Sequence, residues 1–189
     1  MQVLAVNGSP RKNGNTAALL KTVLEVCTNA GFETELYQVG GREIHGCKGC
    51  KSCWKNKGRC VQSDWINELY PQMKIADAII LGSPTYFFDL TPEIKAVMDR
   101  TGYISRADGF TFNRKVAAGV SAVRRAGGVA TLDSMQHFFL INGMIVPGSS
   151  YLNVSLACEP GDVERDAEGL QTMKTLGENI VWLVKKIHG

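Results

Sequence analysis

Apolar runs alternate with amphipathic stretches along the whole chain of 189 residues. The runs are short and rich in Val, Ile, Leu and Ala, which is typical of strands covered on both faces in a parallel sheet. The amphipathic stretches have the length of helices, so the alternation predicts β-α-β units. The predicted strands are residues 3–6, 33–39, 78–81, 115–121 and 143–146. The predicted helices are residues 16–30, 64–75, 91–100, 128–142 and about 162–186.

Five strands with intervening helices predict an α/β fold, a three-layer α/β/α sandwich around a five-stranded parallel sheet. No linker or repeat interrupts the pattern, so we expect a single domain, residues 1–189, with a cysteine-rich insertion at about 44–63. In such folds ligands bind at the carboxyl ends of the strands, where the strand order reverses. The loops after the first, third and fourth strands are therefore the candidate site.

Composition excludes some classes of protein. Hydrophobic residues make up 44% and charged residues 21% of the chain, as in ordinary globular domains, and no apolar run is long enough to cross a bilayer. The net charge of +3 is not gathered into a stripe, which argues against a nucleic-acid partner. The start of the chain resembles a strand and not an export signal, so we expect a cytoplasmic protein.

The loop after the first strand is rich in glycine, hydroxyl and amide groups and leads at once into a helix. It has the sequence NGSPRKNGNT, residues 7–16. Backbone N–H groups at a helix N-terminus bind anions, and Ser9, Arg11, Asn15 and Thr16 add donors or charge. Neither Walker A nor GxGxxG fits the spacing. The loop predicts a cradle for one terminal phosphate; the alternative is a polar loop with Asn15 or Thr16 as an ordinary helix cap.

Two further loops stand at predicted strand ends. GSPTYFFD, residues 82–89, places three consecutive aromatic residues after the third strand, and aromatic side chains at a strand end suit a flat ring. The alternative is that Phe87 and Phe88 only cover the end of the sheet. SAVRRAGG, residues 121–128, follows the fourth strand and offers backbone N–H groups to the other side of that ring.

The segments GSPRKNGNT, GSPTYFFD with the later IKAVMDR, and AVRRAGG resemble the three flavin loops of the NADPH-dependent FMN reductase-like family, and the match runs through most of the chain. The resemblance implies a flavodoxin-like fold that binds FMN. The first loop would hold the phosphate, the second would border the isoalloxazine ring, and the third would approach its pyrimidine side. The implied contacts are Ser9, Arg11, Asn15, Thr16, Pro84, Thr85, Tyr86, Phe87, Ala122, Val123, Arg124 and Gly127.

Four cysteines, Cys47, Cys50, Cys53 and Cys60, lie close together after the second strand. In a reducing compartment this pattern indicates metal or redox chemistry before disulfides. Three thiols at two-residue gaps with a fourth further on fit a [4Fe–4S] cluster, and five nearby lysine and arginine side chains would offset its negative charge. Tetrahedral zinc and free thiols are the alternatives. The spacing is also similar to that of the iron–sulfur flavoproteins, a branch of the same family.

The remaining candidate groups have weaker patterns. Cys53 and Arg59 have the C-x5-R spacing of cysteine phosphatases, but no strand-loop-helix surrounds them. Cys27 lies on the apolar side of the first helix and is predicted to be core. Cys158 is either a surface thiol or an interface residue. The three histidines share no metal-binding spacing.

These observations predict an FMN-dependent oxidoreductase that passes electrons between FMN and a [4Fe–4S] cluster, with NAD(P)H or ferredoxin as donor. The alternatives are a clusterless NAD(P)H-dependent FMN or quinone reductase and, from another class, a flavodoxin-like electron carrier without a substrate of its own. We expect small-molecule or protein electron donors and acceptors as partners, with neither nucleic acid nor membrane. The resemblance also implies a homodimer or homotetramer.

Overall fold

The apolar runs form the sheet and the amphipathic stretches form the helices around it. A computed structural model describes residues 1–189, with strand order β2-β1-β3-β4-β5 and every pair parallel. The strands are β1 Gln2–Asn7, β2 Glu33–Gln38, β3 Ala78–Pro84, β4 Val116–Val123 and β5 Val154–Leu156. The helices are α1 Asn15–Asn29, α2 Ser52–Lys55, α3 Ile66–Ile75, α4 Pro92–Ala107, α5 Gly128–Ile141 and α6 Ala167–His188, with a 3-10 turn at Asp162–Arg165.

Two apolar cores lie on the two faces of the sheet. Side chains alternate along β1, so that Val3 and Ala5 pack against α1 and α6, whereas Leu4 and Val6 pack against α3, α4 and α5. The central strands β3 and β4 are buried almost from end to end. The predicted three-layer α/β/α sandwich is confirmed.

The strand order reverses between β1 and β3, because β2 lies on one side of β1 and all later strands lie on the other. Asn7, the last residue of β1, is aligned with Gly82 of β3. The loops that leave these two strands therefore begin side by side. This is the place where folds of this type bind their ligands.

The predicted position of the fifth strand, residues 143–146, was wrong. Only Ile145 pairs there, through one parallel bridge to Val116 of β4. Pro147 follows directly, and proline has no N–H to donate to a ladder. Residues 147–152 are not part of the sheet, and Val154–Leu156 then pair with the end of β4. The sheet has the predicted number of strands, but the last lies about ten residues later.

Three helices differ from the prediction at their ends, and one of them, α6, begins at Ala167 instead of about residue 162, because Asp162–Arg165 form a 3-10 turn. Helix α4, predicted to end at Arg100, continues to Ala107. Helix α3, predicted to begin at residue 64, begins at Ile66. The Asp64 side chain accepts a hydrogen bond from the Ile66 N–H and so lies before the helix. None of the helices combines the length and apolar character needed to cross a membrane.

Candidate functional site

The loop between β1 and α1 is fixed by bonds to both neighbouring strands. The Gly8 N–H donates to the carbonyl of Gly82 in β3 (2.8 Å). The Asn7 side chain donates to Gln38 Oε1 at the end of β2 (2.7 Å) and accepts from the Ser9 N–H (3.1 Å). Gln38 Nε2 in turn donates to the Ser9 carbonyl (2.6 Å). The loop is thus held in one shape before any ligand binds.

The first turn of α1 presents unpaired donors. No side chain caps this helix, and the N–H groups of Asn15, Thr16 and Ala17 have no partner within the chain. The Thr16 side chain is 1% exposed and its hydroxyl makes no hydrogen bond. Unpaired N–H groups and the positive end of the helix dipole together favour an anion. The interpretation of Asn15 or Thr16 as an ordinary cap is therefore wrong.

A glycine after β2 lets the backbone come close to this loop. A Cβ on Gly40 would lie 2.2 Å from both the carbonyl carbon and the oxygen of Ser9. Only a residue without a side chain fits there. The close approach also brings the Gly40 carbonyl within 2.7 Å of Gln38 Nε2, which holds Ser9 as well.

The Asn15 side chain has a partner that the sequence did not indicate. Its Nδ2 donates to the Glu159 carbonyl and its Oδ1 accepts from the Gly161 N–H, both at 2.9 Å. These bonds attach the loop after β5 to the N-terminus of α1. Asn15 lines the cleft as predicted, but its amide serves as a clamp, and only its backbone N–H is left for a ligand.

The loop after β3 is anchored by Thr85. Its N–H donates to the Ala122 carbonyl (3.0 Å), and its hydroxyl lies 3.0 Å from Ser121 Oγ and 2.9 Å from Thr131 Oγ1. Next, Tyr86 and Asp89 exchange two backbone hydrogen bonds, at 2.7 and 3.0 Å. The result is a tight two-residue turn with Phe87 and Phe88 at its tip.

Both tip residues adopt positive φ, +47° for Phe87 and +67° for Phe88. Bulky side chains rarely take this conformation, which costs about 1–3 kcal/mol per residue. The turn directs Phe87 wholly into solvent and leaves Phe88 66% exposed. The alternative that these rings cover the end of the sheet is therefore wrong.

The loop after β4 contributes Ala122 and Arg124 to the cleft. Val123 is buried and faces the opposite side of the strand, where its Cγ1 would lie 3.4 Å from a Cβ on Gly128 at the start of α5. Gly127 has φ +93°, and a Cβ there would lie 2.9 Å from Phe88 Cα and from Thr85 Cγ2. Gly127 therefore lets the β3 and β4 loops pack closely, without itself lining the cleft.

These loops enclose one cleft of about 200 Å³ at the carboxyl ends of the strands. Of the predicted residues, Phe87, Val123 and Gly127 do not line it. Two residues that were not predicted, Ala157 and Cys158, do. They follow the true β5, so the misplaced fifth strand is the reason why sequence analysis missed them. The lining residues are Ser9, Arg11, Asn15, Thr16, Pro84, Thr85, Tyr86, Ala122, Arg124, Ala157 and Cys158.

The four clustered cysteines border a second, small cavity of about 20 Å³. All are free thiols, with Cys47 and Cys50 exposed and Cys53 and Cys60 half-buried. No three Cys, His, Asp or Glu side chains in the chain are spaced to hold a single metal ion. Cys27 is apart from this group in the core, where burial raises the pKa of its thiol to about 11.

The thiols of this group influence one another. Burial raises the pKa of Cys53, and the nearby Cys60, Cys47 and Cys50 raise it further. Hydrogen bonds from the side chain and backbone of Ser52 lower the pKa of the exposed Cys50. The four cysteines therefore form one group around this cavity.

A buried ion pair lies beneath the cysteines. Arg100 of α4 pairs with Asp64, and the two side chains are 1% and 7% exposed. Arg100 lines the same cavity as the four thiols. The two sites are separated along α4: Thr91, whose hydroxyl donates to the Gly8 carbonyl beside the cleft (3.0 Å), precedes Arg100 by nine residues, or about 14 Å of helix.

Comparison with known proteins places the chain among flavoproteins. The family model for NADPH-dependent FMN reductases matches residues 1–158. An iron–sulfur flavoprotein of Methanocaldococcus jannaschii is 37% identical over 99% of each chain. Another, from Methanosarcina thermophila, is 31% identical over 100% of this chain and 97% of its own.

Solved structures show the same fold at lower identity. The Trp repressor binding protein of Bacillus subtilis is 21% identical with a TM-score of 0.70, covering 92% of this chain and 98% of that one. A flavodoxin from the domain Archaea is 17% identical with a TM-score of 0.64, covering 98% and 99%. The predicted flavodoxin-like fold is confirmed.

Proposed function

The chain is a flavin-dependent oxidoreductase of the NADPH-dependent FMN reductase family, and we propose that it passes electrons between FMN and a [4Fe–4S] cluster bound by Cys47, Cys50, Cys53 and Cys60. The resemblance seen in the sequence is thereby confirmed for the family. The observation that supports the cluster most directly is that all four thiols border one cavity above a buried guanidinium.

FMN is assigned to the cleft at the strand ends. Its phosphate would accept from the free N–H groups of Asn15, Thr16 and Ala17 and from the hydroxyls of Thr16 and Ser9, with Arg11 as counter-charge. The ring would lie between the β3 and β4 loops, beside Tyr86 and Arg124. The cleft ends in one helix N-terminus and no second anion loop, which fits a single terminal phosphate better than a pyrophosphate.

The cysteines fit a cubane better than a single ion. Zinc needs its ligands converged on one point, and no three side chains here meet that condition. A cubane binds each sulfur to a different iron, so the sulfurs stand further apart. Cys47 and Cys50 lie on an exposed segment without regular structure, which can adjust as the cluster is assembled. When bound, the cluster would carry single electrons to or from FMN.

The finer assignments of partners rest on the same proposal. We expect NAD(P)H or ferredoxin as donor, assembly as a homodimer or homotetramer, and no binding of nucleic acid or membrane. The cytoplasm is the expected compartment because it keeps thiols such as these six free cysteines reduced.

The decisive experiment is anaerobic reconstitution with iron and sulfide, followed by metal analysis and spectroscopy. The wild type should take up about four irons per chain and one FMN. Cys50→Ala should lose the cluster and retain FMN, because the residues that line the cleft and those that line the cysteine cavity are different. Cys158→Ala, a change at an exposed cysteine outside the four, should keep its iron. If the wild type takes up no iron, the cluster assignment is wrong and the clusterless reductase replaces it.

A further inference from the structure

Arg100 is the largest fully buried side chain in the protein, and none of the loops assigned to FMN uses it. A buried guanidinium is costly unless its donors are paired. One carboxylate, Asp64, balances its charge. The position of Arg100 under the four thiols therefore calls for an account of each of its N–H groups.

Three of the five N–H groups of Arg100 have partners, which leaves the Nε–H and one N–H of Nη2 unpaired. Nη1 donates to Asp64 and to the His45 carbonyl (3.0 Å), and Nη2 donates to the Gln62 carbonyl at the long distance of 3.5 Å. Nε is buried and has no partner. Guanidinium donors are seldom left unpaired in a protein interior, because each loses its hydrogen bond to water.

The sulfur of Cys60 is the neighbouring acceptor. Cys60 borders the same small cavity as Arg100 and is the thiol that interacts with the guanidinium beside Asp64. Cys60 is itself fixed from the other side: its N–H donates to Asn67 Oδ1 (2.8 Å), and Asn67 Nδ2 donates to its carbonyl (3.2 Å). The segment that presents Cys60 is thus held by Asn67 and, through the Gln62 carbonyl, by Arg100.

We infer that Arg100 is a positioning residue for the cluster: it donates a hydrogen bond to the sulfur of Cys60 and thereby favours the reduced cluster. This inference rests on the proposed function. Hydrogen bonds to cluster sulfurs are among the factors that set the reduction potential, because the sulfur bears more negative charge after reduction. Asp64 cancels the net charge of Arg100, so the effect acts through the hydrogen bond and not through a general positive field.

The test is the reduction potential of the reconstituted protein, measured by EPR-monitored titration with dithionite. Arg100→Lys retains the positive charge beside Asp64 but removes the Nε–H. The ratio of reduced to oxidised cluster at a fixed potential should fall about tenfold, a shift of about 59 mV for one electron. The FMN potential should stay unchanged. Lys57→Met, which removes an exposed charge from the same segment, is the matched control and should shift the potential much less.

A second variant separates hydrogen bonding from charge and covers the case in which Arg100→Lys does not fold. Asp64→Asn combined with Arg100→Met replaces the ion pair by two uncharged side chains and leaves no donor at position 100, so the net charge is unchanged. The hydrogen-bond account expects the same fall in potential. An unchanged potential, or an equal shift in Lys57→Met, would overturn the inference.

A metal-free measurement keeps this inference separate from the cluster itself. In the apoprotein, the melting temperatures of wild type, Cys60→Ala, Arg100→Lys and the variant with both of these changes form a double-mutant cycle. If Arg100 bonds the sulfur, the losses in melting temperature are not additive. Additive losses overturn the bond whether or not the wild type takes up iron, whereas absence of iron in the wild type counts against the proposed function alone.

Discussion

Changing Thr16 to Val tests the phosphate site by removing one hydroxyl and almost nothing else. Threonine and valine have nearly the same shape and helix propensity, so the first turn of α1 should be preserved. Thr16 is 1% exposed as a residue, and its hydroxyl makes no hydrogen bond within the chain. Its removal therefore leaves the protein folded while it deprives the bound phosphate of one donor.

The size of the effect follows from that burial. A hydrogen bond to a charged group contributes about 1.5–3 kcal/mol. On the proposed assignment, three backbone N–H groups and Ser9 would still bind the phosphate in the variant, so we expect the lower end of this range. At about 1.4 kcal/mol for each factor of ten, the Kd for FMN should rise about tenfold.

The assay is quenching of flavin fluorescence during titration of the apoprotein. Riboflavin, which lacks the phosphate, should bind wild type and Thr16→Val equally. Thr28→Val is the matched control, since the Thr28 hydroxyl donates to the Leu24 carbonyl far from the cleft (2.9 Å). If Thr16→Val is folded and binds FMN as tightly as wild type, or loses riboflavin to the same extent, Thr16 does not contact the phosphate.

Two further outcomes are expected. In the cluster-free protein, FMN should protect Cys158 from alkylation by iodoacetamide, because this thiol lines the cleft. The exposed Cys50 should react equally with and without FMN. If Cys158 is also labelled equally with and without FMN, FMN binds elsewhere. The hydrogen bond from Lys74 (2.7 Å) lowers the pKa of Asp108 below its usual range. The ionised Asp108 carboxylate therefore stabilises the fold above about pH 4, and this stabilisation is lost as the pH falls through the lowered pKa. In urea unfolding at pH 7, Asp108→Asn should cost about 1 kcal/mol, since Lys74 is half exposed, and the difference from wild type should shrink as the pH falls below about 4. Asp99→Asn, in an exposed pair with Lys95, should change little. A pH-independent loss in Asp108→Asn would contradict the reasoning.

The sequence predicted the parts of the site that depend on local composition. The loop before Thr16 offers free N–H groups because glycine and polar residues stand directly before an apolar helix, and this pattern is visible without the fold. The same holds for Thr85 and Tyr86 after β3. Parallel strands bring such loops to one edge of the sheet, so their meeting followed from the fold class.

Features that depend on contacts between distant segments were not predictable. The clamp from Asn15 to Glu159 joins residues far apart in sequence, and an asparagine beside a helix start suggests a ligand donor equally well. The true β5 is only three residues long, too short for a periodic pattern, whereas the apolar stretch before Pro147 gave a stronger signal. No sequence rule indicates that Phe87 and Phe88 would share a turn at positive φ.

The interrupted fifth strand limits how this protein can associate. A long free sheet edge would invite strands from other chains, in ordered assembly or in aggregation. Here one edge, β5, offers three residues, and Pro147 lacks a donor just before it. The opposite edge, β2, presents the exposed carboxylates of Glu33 and Glu35, which repel a copy of themselves. Both edges thus disfavour the addition of a strand from another copy, which lowers the tendency of the chain to polymerise by edge-to-edge pairing.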